Sequence, residues 1–169
     1  MSAFRRISLS SRLTHSVSVV SQLPIDENDF EDIELGKGND VARLKTAPSQ
    51  TYRGLIEEIV NEIKEAGPLD ATFDYRWGVL RVRTGQLVSD DQSVIIIPLF
   101  KSESSSDTEV RSREVAFFTK DKIATISWQP PPDGQLLPMY LLPKGISIGV
   151  RTPSILFISI MFKQALLPG

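Results

Sequence analysis

The segment G-I-S-I-G-V-R-T-P-S-I-L-F-I-S-I-M-F-K, residues 145–163, is the most apolar part of the chain and decides its fold. In residues 146–150, isoleucine and valine alternate with small residues, which is typical of a half-exposed strand. The run 155–162 is rich in β-branched and aromatic residues that suit a strand buried on both faces. Residues 151–154 between them are of the types found in turns. The segment therefore predicts a C-terminal hairpin whose second strand is central.

The same apolar run is too short to anchor the chain in a membrane. A spanning helix needs roughly twenty consecutive apolar residues, whereas Arg151 and Pro153 interrupt this segment. The strand interpretation therefore replaces the membrane interpretation for this part of the sequence.

Composition bounds the possible classes of protein. A length of 169 residues predicts one domain with a core. The net charge of −2 excludes a uniformly basic nucleic-acid binder. The chain has no cysteine and one histidine, His15, which argues against disulfides, thiolate metal sites and a Ser-His-Asp triad. No glycine-rich phosphate-binding motif is present. The sequence therefore predicts a protein that is not an enzyme and uses no cofactor or metal.

The charges of the N-terminal part change sign along the chain. No acidic residue precedes Asp26, whereas residues 26–40 contain seven acidic residues and only one basic residue, Lys37. Such a polar segment buries too little apolar surface to offset the entropy cost of ordering it. Residues 1–48 are therefore predicted to form a largely disordered arm that is basic first and acidic second.

The basic part of the arm contains candidate contact residues. Phe4, Arg5, Arg6 and Arg12 are predicted to touch an anionic membrane surface or a nucleocapsid. A plain tail and an organellar leader, which is also rich in arginine and serine and poor in acids, remain alternatives. The motif R-R-I-S at residues 5–8 also resembles a basophilic kinase site.

The folded part is predicted to begin with an amphipathic helix over residues 49–66. Its apolar stripe falls at three- and four-residue steps and comprises Tyr52, Leu55, Ile56, Ile59, Ile63 and Ala66. Short strands follow, among them 93–100 and a hairpin formed by 114–119 and 122–128. Residues 49–169 are thus predicted to be a single α+β domain, in which one N-terminal helix packs on a mainly antiparallel sheet of about six strands.

One strand of this domain carries three arginines. Before Gly78 the apolar residues stand at odd positions, and after Val79 they stand at even positions. This change of parity predicts a β-bulge near Gly78 and Val79. That bulge would place Arg76, Arg81 and Arg83 together on the outer face of the strand.

Two short motifs are typical of peptide recognition. Tyr52 and Leu55 form a Y-x-x-L pattern, and Pro130, Pro131 and Pro132 suit a polyproline II turn. The helix stripe accounts for the first motif, and an ordinary connector accounts for the second.

A family resemblance rests on the C-terminal part. The segment L-P-M-Y-L-L-P at residues 137–143, followed by 146–162, resembles the C-terminal core of rhabdovirus matrix proteins, in particular the vesiculovirus type. In that family a proline-methionine-apolar-proline segment leads into an isoleucine-glycine strand, a small turn and an alternating apolar strand. The chain departs from the family in having fewer basic residues at its start, no P-P-x-Y motif in the arm and a slightly acidic overall charge.

The resemblance implies a viral matrix protein that links the nucleocapsid to the membrane envelope. Such a structural protein would self-associate during virion assembly and budding, beneath the envelope and in the host cytoplasm. Its partners would be itself as a homo-oligomer, the nucleoprotein–RNA complex and an anionic membrane surface, with no small-molecule substrate. An imported organellar (mitochondrial) β-rich binding or assembly protein with a cleaved leader is the main alternative, and a cellular adaptor is a third.

Charge complementarity suggests how copies would associate. The acidic part of the arm is predicted to dock on the basic strand face of another copy. The acidic residues are Asp26, Glu27, Asp29, Glu31 and Asp32, and the basic ones are Arg76, Arg81 and Arg83.

Overall fold

The computed structural model describes residues 5–22, 26–33, 40–66, 75–88, 93–100, 113–118, 123–129, 131–132, 134–143, 145–150 and 155–162. These residues form a mostly antiparallel α+β architecture, as the sequence predicted, but they contain two helices and ten strands instead of the expected one helix and about six strands. The elements are β1 (Arg5–Ser8), α1 (Ser11–Ser21), β2 (Phe30–Ile33), β3 (Asp40–Leu44), α2 (Thr46–Ala66), β4 (Tyr75–Val88), β5 (Ser93–Leu99), β6 (Arg113–Phe118), β7 (Ile123–Trp128), β8 (Pro138–Leu142), β9 (Ser147–Val150) and β10 (Ile155–Phe162). A short 3-10 turn at Glu27–Asp29 precedes β2.

The strand β10 lies in the middle of the first sheet. It pairs antiparallel with β4 on one side and with β5 on the other. Phe157 and Ile158 are both fully buried, although successive strand residues point to opposite faces. The prediction of a central strand buried on both faces is therefore confirmed.

The first sheet is antiparallel throughout and runs in the order β2-β3-β4-β10-β5-β8-β1. The two helices cover one of its faces and form a cluster that we call the helix-side core. Ile56 and Ile59 of α2 pack there with Ile95 of β5 and Ile158 of β10, and all four are fully buried.

The second sheet covers the opposite face of the first. Residues 85–88 of β4 pair with β9, β9 pairs with β6, and β6 pairs with β7. Phe157 and Ile96 of the first sheet meet Val115 and Ile148 of the second in one cluster, which we call the inter-sheet core. The long strand β4 thus belongs to both sheets and connects them.

The predicted C-terminal hairpin is wrong. The strands β9 and β10 do not pair with each other; each pairs with a different part of β4, and they lie in different sheets. The turn-like composition of residues 151–154 was consistent with a hairpin, but residue types do not specify the partner of a strand. In contrast, the predicted hairpin near residues 114–128 is confirmed as β6 and β7.

The predicted bulge near Gly78 is also wrong. The pairing of β4 with β10 is continuous from Tyr75 to Val82. Val79 lies in the helix-side core and Leu80 in the inter-sheet core, so the parity changes because this strand is covered on both faces. Arg76 and Arg81 therefore lie on opposite faces of β4, and they do not form a shared basic surface.

The predicted helix is confirmed as α2, which begins at Thr46. Its buried stripe contains Tyr52, Leu55, Ile56, Ile59, Val60 and Ile63. Pro48 is tolerated because it falls in the first turn, where backbone N–H groups lack intrahelical acceptors. Among the described residues, neither helix has the length and apolar character needed to cross a bilayer.

The described part of the predicted arm is folded, which corrects the expectation of disorder for these residues. Leu9, Leu13 and Val17 are at most 2% exposed in the helix-side core. Ser10 caps α1 by accepting a hydrogen bond from the Leu13 N–H, at 3.2 Å. The polar composition concealed an apolar residue at every fourth position, which is the spacing of one helix face.

The packing of α1 predicts an asymmetric response to mutation. Leu13→Ala is expected to lower the free energy of unfolding by about 2–5 kcal/mol, because it opens a cavity in the core. Val19→Ala on the same helix is the control, since Val19 is 54% exposed; it should change stability by less than about 0.5 kcal/mol. Urea denaturation of the two variants measures both values. Equal stability of the wild type and Leu13→Ala would contradict the packing of α1.

A buried phenol predicts a loss of stability in alkali. Burial raises the pKa of Tyr52 to about 12, and its hydroxyl has no hydrogen-bond partner among the described residues. Tyrosine in an unfolded chain titrates near a pKa of about 10. Between these values the unfolded state releases the proton first, so stability is complete below about pH 10 and falls up to about pH 12.

Urea denaturation at pH 8 and pH 11 tests this assignment. Tyr52→Phe should lose less stability between the two pH values than the wild type, with a difference of at most about 1.4 kcal/mol per pH unit. At pH 8 it should be as stable as the wild type or more so, because an unsatisfied buried hydroxyl is removed. Tyr75→Phe keeps Tyr52 and should retain the alkaline loss. An identical pH dependence of wild type and Tyr52→Phe would refute the assignment.

Candidate ligand pocket

A pocket of about 340 Å³ opens at one margin of the inter-sheet core. It lies where β1 and β8 of the first sheet approach β7 of the second. Most of its lining is apolar or aromatic: Pro98, Phe100, Ile126, Trp128, Pro131, Pro132, Leu136, Pro138 and Tyr140. The polar lining residues are Arg6, Gln129 and Gln135. The volume is within the range of small-molecule sites, and the lining combines apolar side chains with polar groups.

An aromatic cluster forms the inner wall of the pocket. The ring of Trp128 is stacked on Tyr140 at a centroid distance of 6.4 Å and lies 6.1 Å from Phe100. The ring of Phe157 packs on the same indole in a T-shaped arrangement, with a centroid distance of 6.2 Å. Trp128 is the last residue of β7 in the second sheet, and Tyr140 lies within β8 of the first sheet. The packing of the two sheets therefore fixes the position of the wall.

The cation of the pocket comes from the edge strand β1. Arg6 lies opposite Tyr140 in the pairing of β1 with β8. Burial raises the pKa of the Tyr140 phenol above its ordinary value, and the nearby Arg6 guanidinium lowers it in part. Tyr140 is therefore a neutral phenol at physiological pH, and the positive charge of Arg6 faces this aromatic wall.

A proline-containing turn forms the outer lip. The Gln135 N–H donates to the Pro132 carbonyl at 3.0 Å, and Gly134 adopts a φ of 83°, which glycine tolerates without strain. The following Leu137 is held by the N-terminal segment, since the Leu9 N–H donates to its carbonyl and its own N–H donates to the Thr14 hydroxyl. The predicted arm thus fixes one side of the pocket.

The side chains of the pocket can hold an amphipathic molecule. Apolar walls can hold a flat or aliphatic body, while the guanidinium of Arg6 can pair with a carboxylate. The Trp128 Nε1 group is buried and has no acceptor among the described residues, which is an unfavourable arrangement for a donor. The described residues contain no cluster of three metal-binding side chains.

The predicted contact residues of the arm do not form one surface. Arg6 lines the pocket, and the neighbouring Arg5 is exposed on the other face of β1. Arg12 lies on α1 and forms an exposed ion pair with Glu58 of α2, at 3.3 Å. Phe4 lies outside the described residues. Contact of these residues with a membrane or nucleocapsid stays a prediction.

The acidic residues of the predicted docking surface lie at the β2 margin of the first sheet. Glu31 and Asp32 are exposed on β2, and Glu31 accepts from Arg43 at 2.9 Å. Asp26 is exposed and Asp29 half-buried just before β2, while the side chain of Glu27 lies outside the described set.

The arginines of β4 are not available as one docking surface. Arg81 lies over the ring of Phe30 at 4.6 Å, and Arg76 is exposed on the opposite face. The side chain of Arg83 lies outside the described set.

The two peptide-like motifs have different positions. Tyr52 and Leu55 are 2% and 7% exposed on the core face of α2, so this fold does not present them to a trafficking module. Pro131 and Pro132 line the pocket, whereas Pro130 lies outside the described residues.

Sequence reasoning missed the aromatic wall. Phe100 directly follows the apolar strand β5, Trp128 is the last residue of β7, and Tyr140 lies within β8. Their positions beside proline-rich connectors are a signal for a strand-end pocket, but no periodicity indicates that these three strands meet.

Comparisons with known proteins identify a fold and no function. No family model and no curated protein sequence matches the chain. A crystal structure of a prolyl-4-hydroxylase from Pseudomonas putida is similar over 96% of this chain and 92% of that chain, with a TM-score of 0.56 and 9% identity. The EutQ protein of Clostridium difficile is similar over 96% and 97%, with a TM-score of 0.44 and 10% identity. Procruciferin, an 11S globulin from Brassica napus, is similar over 83% and 29%, with a TM-score of 0.34 and 10% identity.

The first of these similarities carries the assignment of the fold. It indicates a β-rich fold, in agreement with the two packed sheets. The predicted function as a viral matrix protein is therefore wrong, because the solved structure that matches almost the whole chain is a prolyl-4-hydroxylase and not a matrix protein. The misleading signal was a pattern of prolines and apolar strands, which describes buried β-structure in general.

Proposed function

We propose that this chain is a non-enzymatic binding module that holds a small amphipathic anion in the pocket between Arg6 and Trp128. The observation that carries the proposal is the combination of an aromatic wall with a cation at the same opening. The apolar body of the ligand would pack against Phe100 and Trp128, and its carboxylate would pair with Arg6. This function belongs with the β-rich binding protein that the sequence left as its main alternative.

The composition of the chain supports binding rather than catalysis. Many non-haem iron oxygenases hold their metal with two histidines and one carboxylate. The sequence contains a single histidine, so it cannot form that ligand set. His15 is exposed on α1 and does not line the pocket.

The position of the N-terminal segment argues against its removal as a leader. Cleavage between residues 20 and 26 would remove β1 and α1 from the fold. It would take Leu9 and Leu13 out of the helix-side core and would delete the cation of the pocket. The proposed binding module therefore includes residues 5–22.

Calorimetric titration with octanoate and 1-octanol tests the proposal. The two probes share an alkyl chain and differ in charge, so wild-type protein should bind octanoate about fivefold more tightly, equivalent to about 1 kcal/mol for an exposed ion pair. Arg6→Gln should weaken octanoate binding by about the same factor and leave octanol binding unchanged. Leu136→Ala, at the exposed rim, should weaken both probes to a similar extent.

Arg5→Gln is the matched control for Arg6→Gln. It removes the same charge from the adjacent residue, but that residue lies on the opposite face of β1 and does not line the pocket. It should therefore leave the affinity for octanoate almost unchanged. Equal effects of the two substitutions would show that general electrostatics, and not the pocket, attract the anion. No binding of octanoate to the wild type would overturn the proposed function.

A further inference from the structure

We propose that copies of this chain associate side by side through the two edges of the first sheet, with β1 of one copy against β2 of the next. In the described residues, β1 pairs with β8 alone and β2 pairs with β3 alone. Each of these strands therefore has one side whose backbone groups lack a strand partner among the described residues. Unpaired strand edges are the usual template for pairing with another chain.

The two edges carry opposite charges. Arg5 and Arg6 are exposed on β1, and Glu31 and Asp32 are exposed on β2. Pairing β1 with β1, or β2 with β2, would bring like charges together, which is unfavourable. Pairing β1 with β2 brings opposite charges together. The charges thus select a second copy in one specific arrangement.

The strand directions permit this arrangement. The first sheet is antiparallel from β1 to β2 and contains seven strands, so its two edge strands run in the same direction. A second copy that is displaced sideways in the plane of the sheet, and is not turned over, would place its β2 parallel to β1 of the first copy. The helix layers of both copies would then lie on the same side of the joined sheet. Every copy would use both edges, so the interface is heterologous and yields a ring or an open filament.

The faces of the two strands also correspond. Ile7 of β1 and Phe30 of β2 are half-buried and pack against the helix-side core of their own chain. In the proposed arrangement both lie on the helix side of the junction, so they would extend that core between copies. On the other side of the sheet, Arg6 would approach Glu31, whose bond to Arg43 is an exposed and therefore weak pair.

The strength of the association should depend on salt. Both edges are four residues long, which offers few backbone hydrogen bonds. Short charged edge strands normally prevent association, and here the opposite signs leave one pairing available. Because exposed charges provide the attraction, salt at physiological concentration or above should weaken it.

Charge reversal and mixing test the proposal by analytical ultracentrifugation at low salt. Wild-type protein should show concentration-dependent association that added salt reverses. Arg5→Glu/Arg6→Glu has two acidic edges and should be monomeric. Glu31→Lys/Asp32→Lys has two basic edges and should also be monomeric. An equimolar mixture of the two variants should associate, since each acidic edge then finds a basic edge.

A third variant separates edge pairing from general attraction between charges. Glu57→Lys/Glu65→Lys reverses two exposed charges on α2 and leaves both edges unchanged. By itself this variant should associate to the same extent as the wild type. When it is mixed with Arg5→Glu/Arg6→Glu, the association should be no stronger than in a mixture of the wild type with Arg5→Glu/Arg6→Glu. A monomeric wild type at low salt, or two edge variants that fail to associate when mixed although both are folded by circular dichroism, would overturn the proposal. The sedimentation is measured without octanoate, so the two proposals can fail separately.

Discussion

The fold depends on the burial of β10 on both faces. One face of this strand contributes Ile158 to the helix-side core, and the other contributes Phe157 to the inter-sheet core. A strand that is apolar on both faces needs a covering layer on each side. The helices form one layer and the second sheet forms the other. The long strand β4 connects the first sheet to the covering second sheet, because it pairs with β10 and then continues into the second sheet.

Local patterns predicted the elements that are defined by their own sequence. The helix stripe of α2 and the apolar run of β10 were identified because burial follows directly from their periodicity. The pairing of β9 and β10 was not predictable, because their connector has turn-like residues whichever partners the strands take. The parity change at Gly78 had two physical explanations, a bulge or burial on both faces. The second could be recognised only with both covering layers in place.

The pocket was not predictable, because its residues come from distant parts of the chain. Arg6 precedes the region that looked folded, and its role depends on the pairing of β1 with β8. The charges and serines of the N-terminal segment dominated its composition, and its buried apolar residues were few. Leu9, Leu13 and Val17 are nevertheless buried in the helix-side core, and Ile7 and Val20 pack against it. A small number of well-spaced apolar residues can thus outweigh a polar average.

The same edge strand connects the two proposed functions. Arg6 points into the pocket while it also contributes charge to the β1 edge, whereas Arg5 contributes to the edge alone. An anion bound to Arg6 would neutralise part of the charge that attracts the acidic β2 edge of another copy. Ligand binding and association are then coupled, and thermodynamic linkage requires the coupling to be reciprocal. Octanoate should dissociate the assembly in proportion to its occupancy, and octanol, which lacks the charge, should not. Sedimentation of the wild type with each probe distinguishes this coupling from two independent sites, for which both probes would leave the assembly unchanged.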